Sequence, residues 1–206
     1  MSTAYRIPPL LVATLLAVTL SCSEGSGPAD DSRPPEELNV VQIPSTNGAL
    51  FNPVDSFYAK KGENREVRIF FQDESGAAGE EYLRLQVDAQ SLLARPDGTP
   101  FIAGDSILIG VRVVNPSQML FEFSPSGLQF SPLDPARLKI HYDHAGGDIN
   151  DDGSVDAEDE SFELRLAIWR QEQPGDPFVR LTSVLAQAVD ECDADLTGFT
   201  RYALAY

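Results

Sequence analysis

The stretch Asp148-Ile149-Asn150-Asp151-Asp152-Gly153-Ser154-Val155-Asp156-Ala157-Glu158-Asp159 carries the residues best suited to chemistry in this chain. Asp148, Asn150, Asp152, Asp156 and Asp159 set side-chain oxygens at loop positions 1, 3, 5, 9 and 12, and the main-chain carbonyl of Ser154 stands at position 7. Ca²⁺ takes roughly six to eight oxygen ligands, and this spacing is how a single loop wraps them around the ion. Gly153 falls at the sharp turn and the apolar Val155 two places on. A solvated acidic turn has no reason to hold that pattern. Seven carboxylates lie between Asp148 and Glu160, and without a cation they repel one another. The expected cofactor is therefore Ca²⁺, acting as a structural ion that orders the loop.

Other constellations carry less. His141-Tyr142-Asp143-His144 contains both histidines of the chain. If 138–142 is a strand, the two rings point to opposite faces, and no cysteine stands nearby as a further zinc ligand. No nucleophile elbow, phosphate-cradling glycine loop or zincin helix motif occurs. The adjacent acids Glu80-Glu81 and Asp190-Glu191 read as solvated surface charge. The expectation is a chain that binds rather than catalyses.

The elements that must position the loop are strands. Val67, Ile69 and Phe71 alternate along one segment, and Leu83, Leu85 and Val87 along another. Residues 107–114 are dense in β-branched side chains, and 120–123 and 138–142 continue the pattern. Pro96-Asp97-Gly98, Gly104-Asp105, Asn115-Pro116, Ser126-Gly127 and Gly146-Gly147 punctuate them. Many short alternating strands with turns between them predict an all-β antiparallel β-sandwich. No amphipathic helix precedes residue 148, so the calcium loop is expected as an insertion between two late strands. Residues 160–170 fit a helix face and a strand equally; the reading adopted is about one helical turn followed by return to the sheet.

With 15 basic and 32 acidic residues the net charge is −17, which disfavours nucleic acid and anionic lipid surfaces and suits cations. The N-terminus has one basic residue, Arg6, ahead of an apolar run at 10–20 that is too short to span a bilayer. Cys22 follows directly, then Ser-Glu-Gly-Ser-Gly-Pro. This arrangement resembles a bacterial lipoprotein signal, with Thr19 departing from the usual leucine. The resemblance implies cleavage before Cys22, lipidation of Cys22, export, and a membrane anchor, with Ser23 implying the outer membrane of the cell envelope. Residues 1–21 are then the signal peptide, 22–37 a Ser/Gly/Pro-rich flexible tether, and 38–206 the sandwich domain. Cys192 is left without a disulfide partner, and its acidic neighbours argue against a reactive thiol.

Several segments together resemble the β-sandwich domain shared by zonula-occludens scaffolds, netrin receptors and ankyrins. These are Ser91-Leu92-Leu93, the Phe123-Ser124-Pro125-Ser126-Gly127-Leu128-Gln129-Phe130 segment, residues 136–142, and the closing Thr197-Gly198-Phe199-Thr200-Arg201-Tyr202-Ala203-Leu204-Ala205. The resemblance covers residues 83–206 and implies a partner-binding domain with no catalytic site of its own; the calcium loop is not part of its pattern. The loop itself resembles the dockerin version of the EF-hand loop, because Asp159 rather than glutamate stands at position 12. A dockerin carries two such repeats. Here Asp193-Ala194-Asp195-Leu196-Thr197-Gly198 begins alike but fails at Arg201 and Leu204. Together these readings predict a calcium-binding, membrane-anchored surface lipoprotein whose sandwich serves adhesion or binds an unknown protein. The alternative is a carbohydrate-binding or substrate-capture module, which an exposed row of aromatics near the loop would favour.

Overall fold

A computed structural model describes Met1 and residues 31–206. The expected signal peptide, Cys22 and most of the tether lie outside the described residues.

Strands form where apolar residues recur at every second position. They are β1 (Ser32–Arg33), β2 (Val54–Lys60), β3 (Arg65–Gln72), β4 (Ala78–Val87), β5 (Leu92–Ala94), β6 (Ser106–Val113) and β7 (Leu120–Ser124). There follow β8 (Gln129–Phe130), β9 (Ala136–His141), the α-helix α1 (Ala157–Glu163), β10 (Ala167–Gln171), β11 (Phe178–Arg180), β12 (Ser183–Ala186), β13 (Glu191–Leu196) and β14 (Arg201–Ala205). They build a seven-stranded sheet in the order β1-β11-β10-β14-β7-β6-β2 and a five-stranded sheet in the order β12-β13-β9-β4-β3. A short β5-β8 ribbon completes the set, and every strand pair is antiparallel. The all-β sandwich is as expected.

The two sheets meet over a continuous core. From the larger sheet come Ile109, Val111, Phe121, Phe123, Ile168, Tyr202 and Leu204; from the smaller come Val67, Ile69, Leu83, Leu85, Leu138, Ile140 and Cys192. Each is at most 5% exposed, and burying such a side chain contributes roughly 1.5–3 kcal/mol. The period of two explains the outcome, since alternate residues of β9 face in (Leu138, Ile140) while Lys139 and His141 face out.

A second, smaller cluster covers the outer face of the larger sheet. Leu38 packs with Trp169, Phe178 and the small Ala167, Ala203 and Ala205. The Trp169 indole N–H donates to the Ala205 carbonyl at 3.2 Å. Ser32 and Arg33 pair with Val179 and Phe178, and Pro35–Glu37 form a 3-10 turn. The last part of the expected tether, 32–37, is therefore laid against the sheet, because Leu38 beyond it finds the hydrophobic surface that Trp169 and Phe178 would otherwise expose.

The stretch between β9 and β10 is the insertion anticipated from the sequence. A 3-10 turn (Asp143–Ala145) leads through Gly146 and Gly147 to residue 148, and α1 leads back to β10. The helix runs for two turns rather than one, with Phe162 packed against Tyr206, ring centroids 4.5 Å apart.

Candidate functional site: the acidic loop at 148–159

Asp159 is the anchor of the loop. It is 2% exposed, the one buried carboxylate among the described residues. Its Oδ1 accepts the Ile149 and Asn150 amides at 2.8 and 3.3 Å, and its Oδ2 accepts the Asp156 amide at 2.9 Å. One carboxylate thus ties the entry of the loop to its exit. Hydrogen bonds from these amides, that of Asp156 foremost, hold the Asp159 carboxyl below the ordinary aspartate range despite its burial.

Asp148 closes the near side. Its two oxygens accept the Asp152 and Gly153 amides at 3.1 and 2.9 Å. The Asn150 Oδ1 also accepts the Asp152 amide, at 3.0 Å, while its Nδ2 donates to Asp152 Oδ2 at 3.2 Å. Asp152 Oδ1 accepts the Ser154 amide at 2.9 Å. Gly153 sits at φ +90° with nothing within 4 Å of where a Cβ would lie, so backbone conformation alone demands glycine there. Asp151 also takes a left-handed φ, +59°. Asp156 caps α1, and Asp156 and Asp159 form a reciprocal capping box.

The loop residues therefore fall into two groups. The capping box accounts for Asp156 and Asp159 with no ion. It does not involve Asp148, Asn150 and Asp152, whose side-chain oxygens accept the amides of residues 152–154 in the turn before it. In residue type, spacing and backbone the loop fits a hard cation. The side chains in this arrangement spend their oxygens on amides instead. The described group of three metal-ligating side chains with atoms within 4.8 Å of one another is Glu80, Asp143 and His144, outside the loop. Each carboxylate oxygen bonded to one amide retains a second lone pair for an ion.

Beside the loop lies a cleft of about 400 Å³ bordered by Tyr142, Asp156, Glu160, Glu163 and Asp190, with Val155 on its rim. Val155 is 69% exposed, so the apolar position 8 has no partner loop to cover it. Tyr142 donates its hydroxyl to Glu163 Oε1 at 2.8 Å. Burial, and then the charges of Glu163 and Asp143, push the Asp190 carboxyl above its ordinary range. Asp190 holds a left-handed φ of +48°.

A second cleft, of about 480 Å³, opens on the other side of the loop between residues 38–42 and the larger sheet. Gln42, Gln118, Asn150, Gln171 and Arg201 line it together with Tyr206. The Arg201 guanidinium reaches Gln171 Oε1 at 3.4 Å, and its Nε is buried without a partner. The alternation of residues gave no sign of this cleft, because its walls come from segments more than a hundred positions apart. The exposed large aromatics among the described residues are Phe51 and Tyr58, which do not border the loop, so no aromatic row forms there.

Cys192 stands on β13, between β9 and β12 in the smaller sheet, and is fully buried; burial, and then the charge of Asp193, pushes its thiol up to about 12. Its acidic neighbours contribute less than the sequence suggests.

No family model, curated protein or solved structure matches this chain.

Proposed function

We propose that this chain is a calcium-stabilised β-sandwich, held at the bacterial cell envelope by a lipid on Cys22, that presents a binding surface to a partner. One observation carries the calcium reading: Asp148, Asn150, Asp152 and the buried Asp159 surround a turn whose position 6 is a left-handed glycine. Asp148, Asn150, Asp152, Asp156 and Asp159 would supply side-chain oxygens and Ser154 its carbonyl. The bound ion would neutralise carboxylates that now repel, and so fix the stretch between β9 and β10. A lone loop closed by aspartate belongs with the weaker extracellular sites, with Kd of about 10⁻⁴ to 10⁻³ M.

Calorimetric titration of the full chain with Ca²⁺ tests this. The expected result is saturable 1:1 heat and a rise in Tm that chelator reverses, both lost in a combined Asp148→Asn, Asp152→Asn variant. No heat at millimolar calcium would remove the reading. The anchor is tested separately, by partition into detergent that disappears in Cys22→Ser.

The cleft beside residues 38–42 supports a second reading, glycan capture. Planar amides, a guanidinium and a tyrosine ring are groups that bind sugar hydroxyls and ring faces. A glycan array with the wild type and a Gln118→Ala variant separates this from protein adhesion.

A further inference from the structure

The chain's two histidines are each held between two carboxylates, but in different ways. His141 lies on the outer face of the smaller sheet, its Nε2 3.5 Å from both Glu81 and Glu191. His144 lies in the 3-10 turn after β9. Its Nε2 is 3.1 Å from Glu80 Oε2 and 3.8 Å from Asp143 Oδ2. The two rings do not share a site, and His144 brings Glu80 from β4 together with its own neighbour Asp143.

The His144 ring is fixed from two directions. It stacks on the buried Phe71, with centroids 3.5 Å apart and planes within 10°. Its Nδ1 faces the Asn47 main-chain carbonyl, which can only accept, so Nδ1 carries a proton. The Asn47 side chain returns a hydrogen bond to the His144 carbonyl at 2.9 Å. In the neutral ring Nε2 then presents a lone pair toward two carboxylates. Neither Glu80 nor Asp143 has a lysine or arginine partner among the described ion pairs. The three ligand atoms lie within 4.8 Å of one another, and with the ring neutral they repel unless a cation stands among them. A metal-ligating histidine characteristically donates its other ring N–H to a carbonyl or carboxylate, which is what His144 does to Asn47.

We infer that Glu80, Asp143 and His144 form a binding site for a divalent transition metal of the zinc class. One imidazole nitrogen and two carboxylate oxygens suit such a borderline ion better than calcium, and leave a position open to water. Glu80 is at the start of β4, and Asp143 and His144 stand five and four positions before the acidic loop. The metal therefore clips the smaller sheet to the stretch that enters that loop. This site stands on its own ligands and does not depend on the calcium reading.

The test is zinc titration of the full chain, with calcium present and thiols blocked, followed by calorimetry and by long-range ¹H–¹⁵N spectra of the imidazoles. The expected result is one zinc per chain, with the His144 Nε2 resonance moved and Nδ1 still protonated. Glu80→Gln, on a side chain 73% exposed and so free of folding effects, should weaken binding by roughly tenfold or more. His144→Gln should weaken it by on the order of 100-fold. His141→Gln, and the combined Asp148→Asn, Asp152→Asn variant, should leave it unchanged. The inference is overturned if the His144 resonances do not move at millimolar zinc, which would mean a protonated imidazole only. It is equally overturned if binding survives in both Glu80→Gln and His144→Gln, or vanishes in His141→Gln or the loop variant.

Discussion

Asp159 and Asp190 both border one cleft, and their environments push their carboxyls in opposite directions. Three amides stabilise the Asp159 anion, so its folded value is depressed below 3.8. Such a group contributes stability that is complete above 3.8 and is lost as pH falls through the lower folded value. The chelated protein should therefore lose amide protection at 149, 150 and 156 on acidification, as hydrogen exchange can show. Asp159→Ala should lack that transition and be unprotected there already at neutral pH. Asp190 is raised, so its ionised form works against the fold at neutral pH, and protonation relieves this as pH falls. Asp190→Asn keeps a residue tolerant of left-handed φ and removes the repulsion with Glu163 and Asp143. Urea melts should show a gain of roughly 0.3–0.5 kcal/mol at pH 7, absent below 3.8, where folded and unfolded carboxyls are both protonated.

At the scale of elements, α1 is too short to be stable alone, since isolated helices under about 12 residues are marginal in water. Its seven residues persist because the Asp156–Asp159 capping box starts them and Phe162 docks on Tyr206. The turn ahead of it depends on Gly153. An alanine there must adopt φ +90°, which costs about 1 kcal/mol. Gly153→Ala should therefore weaken calcium about fivefold by calorimetry while leaving sandwich strands unaltered in far-UV dichroism. An unchanged affinity would show that the loop's turn plays no part in holding the ion. The alternation of β3, β4, β6, β7 and β9 was readable because a half-buried strand imposes a period of two. The behaviour of residues 160–170 was not, since Leu166 fits both the alternation with Leu164 and Ile168 and a helix face with Phe162 and Trp169, until the capping box and the pairing of β10 with β14 decide between them.

At the scale of the whole molecule, three buried polar atoms among the described residues lack a partner, Asp193 Oδ1, Arg201 Nε and the hydroxyl of Tyr82, and Tyr82 is the one set in the hydrophobic core. The Tyr82 ring packs against Phe71 and Phe121, and its buried hydroxyl has no partner. Desolvation of an unmet hydroxyl costs about 1–3 kcal/mol, whereas the ring's contacts do not need it. Tyr82→Phe should stabilise the protein by about 1 kcal/mol in equilibrium urea unfolding; a loss of stability would reveal a partner for the hydroxyl. The sandwich also sets where charge can collect. With the core claimed by apolar residues, the described carboxylates other than Asp159 stand on the outer faces and loops. That is why the acidic groups at the end of β9 come so close together.

The amino-acid order by itself determined the strand-rich fold, the place of the insertion and the oxygen spacing of the acidic loop. All three rest on neighbours within a dozen residues, where pleat, turn and loop geometry act directly. Tertiary structure alone decided what meets across distance. Glu80 and Asn47 reach His144 from 64 and 97 positions away, and Leu38 folds residues 32–38 over Trp169. Such meetings follow from how two twisted sheets stack and which surfaces remain uncovered, a property of the assembled body and not of any local stretch of the chain.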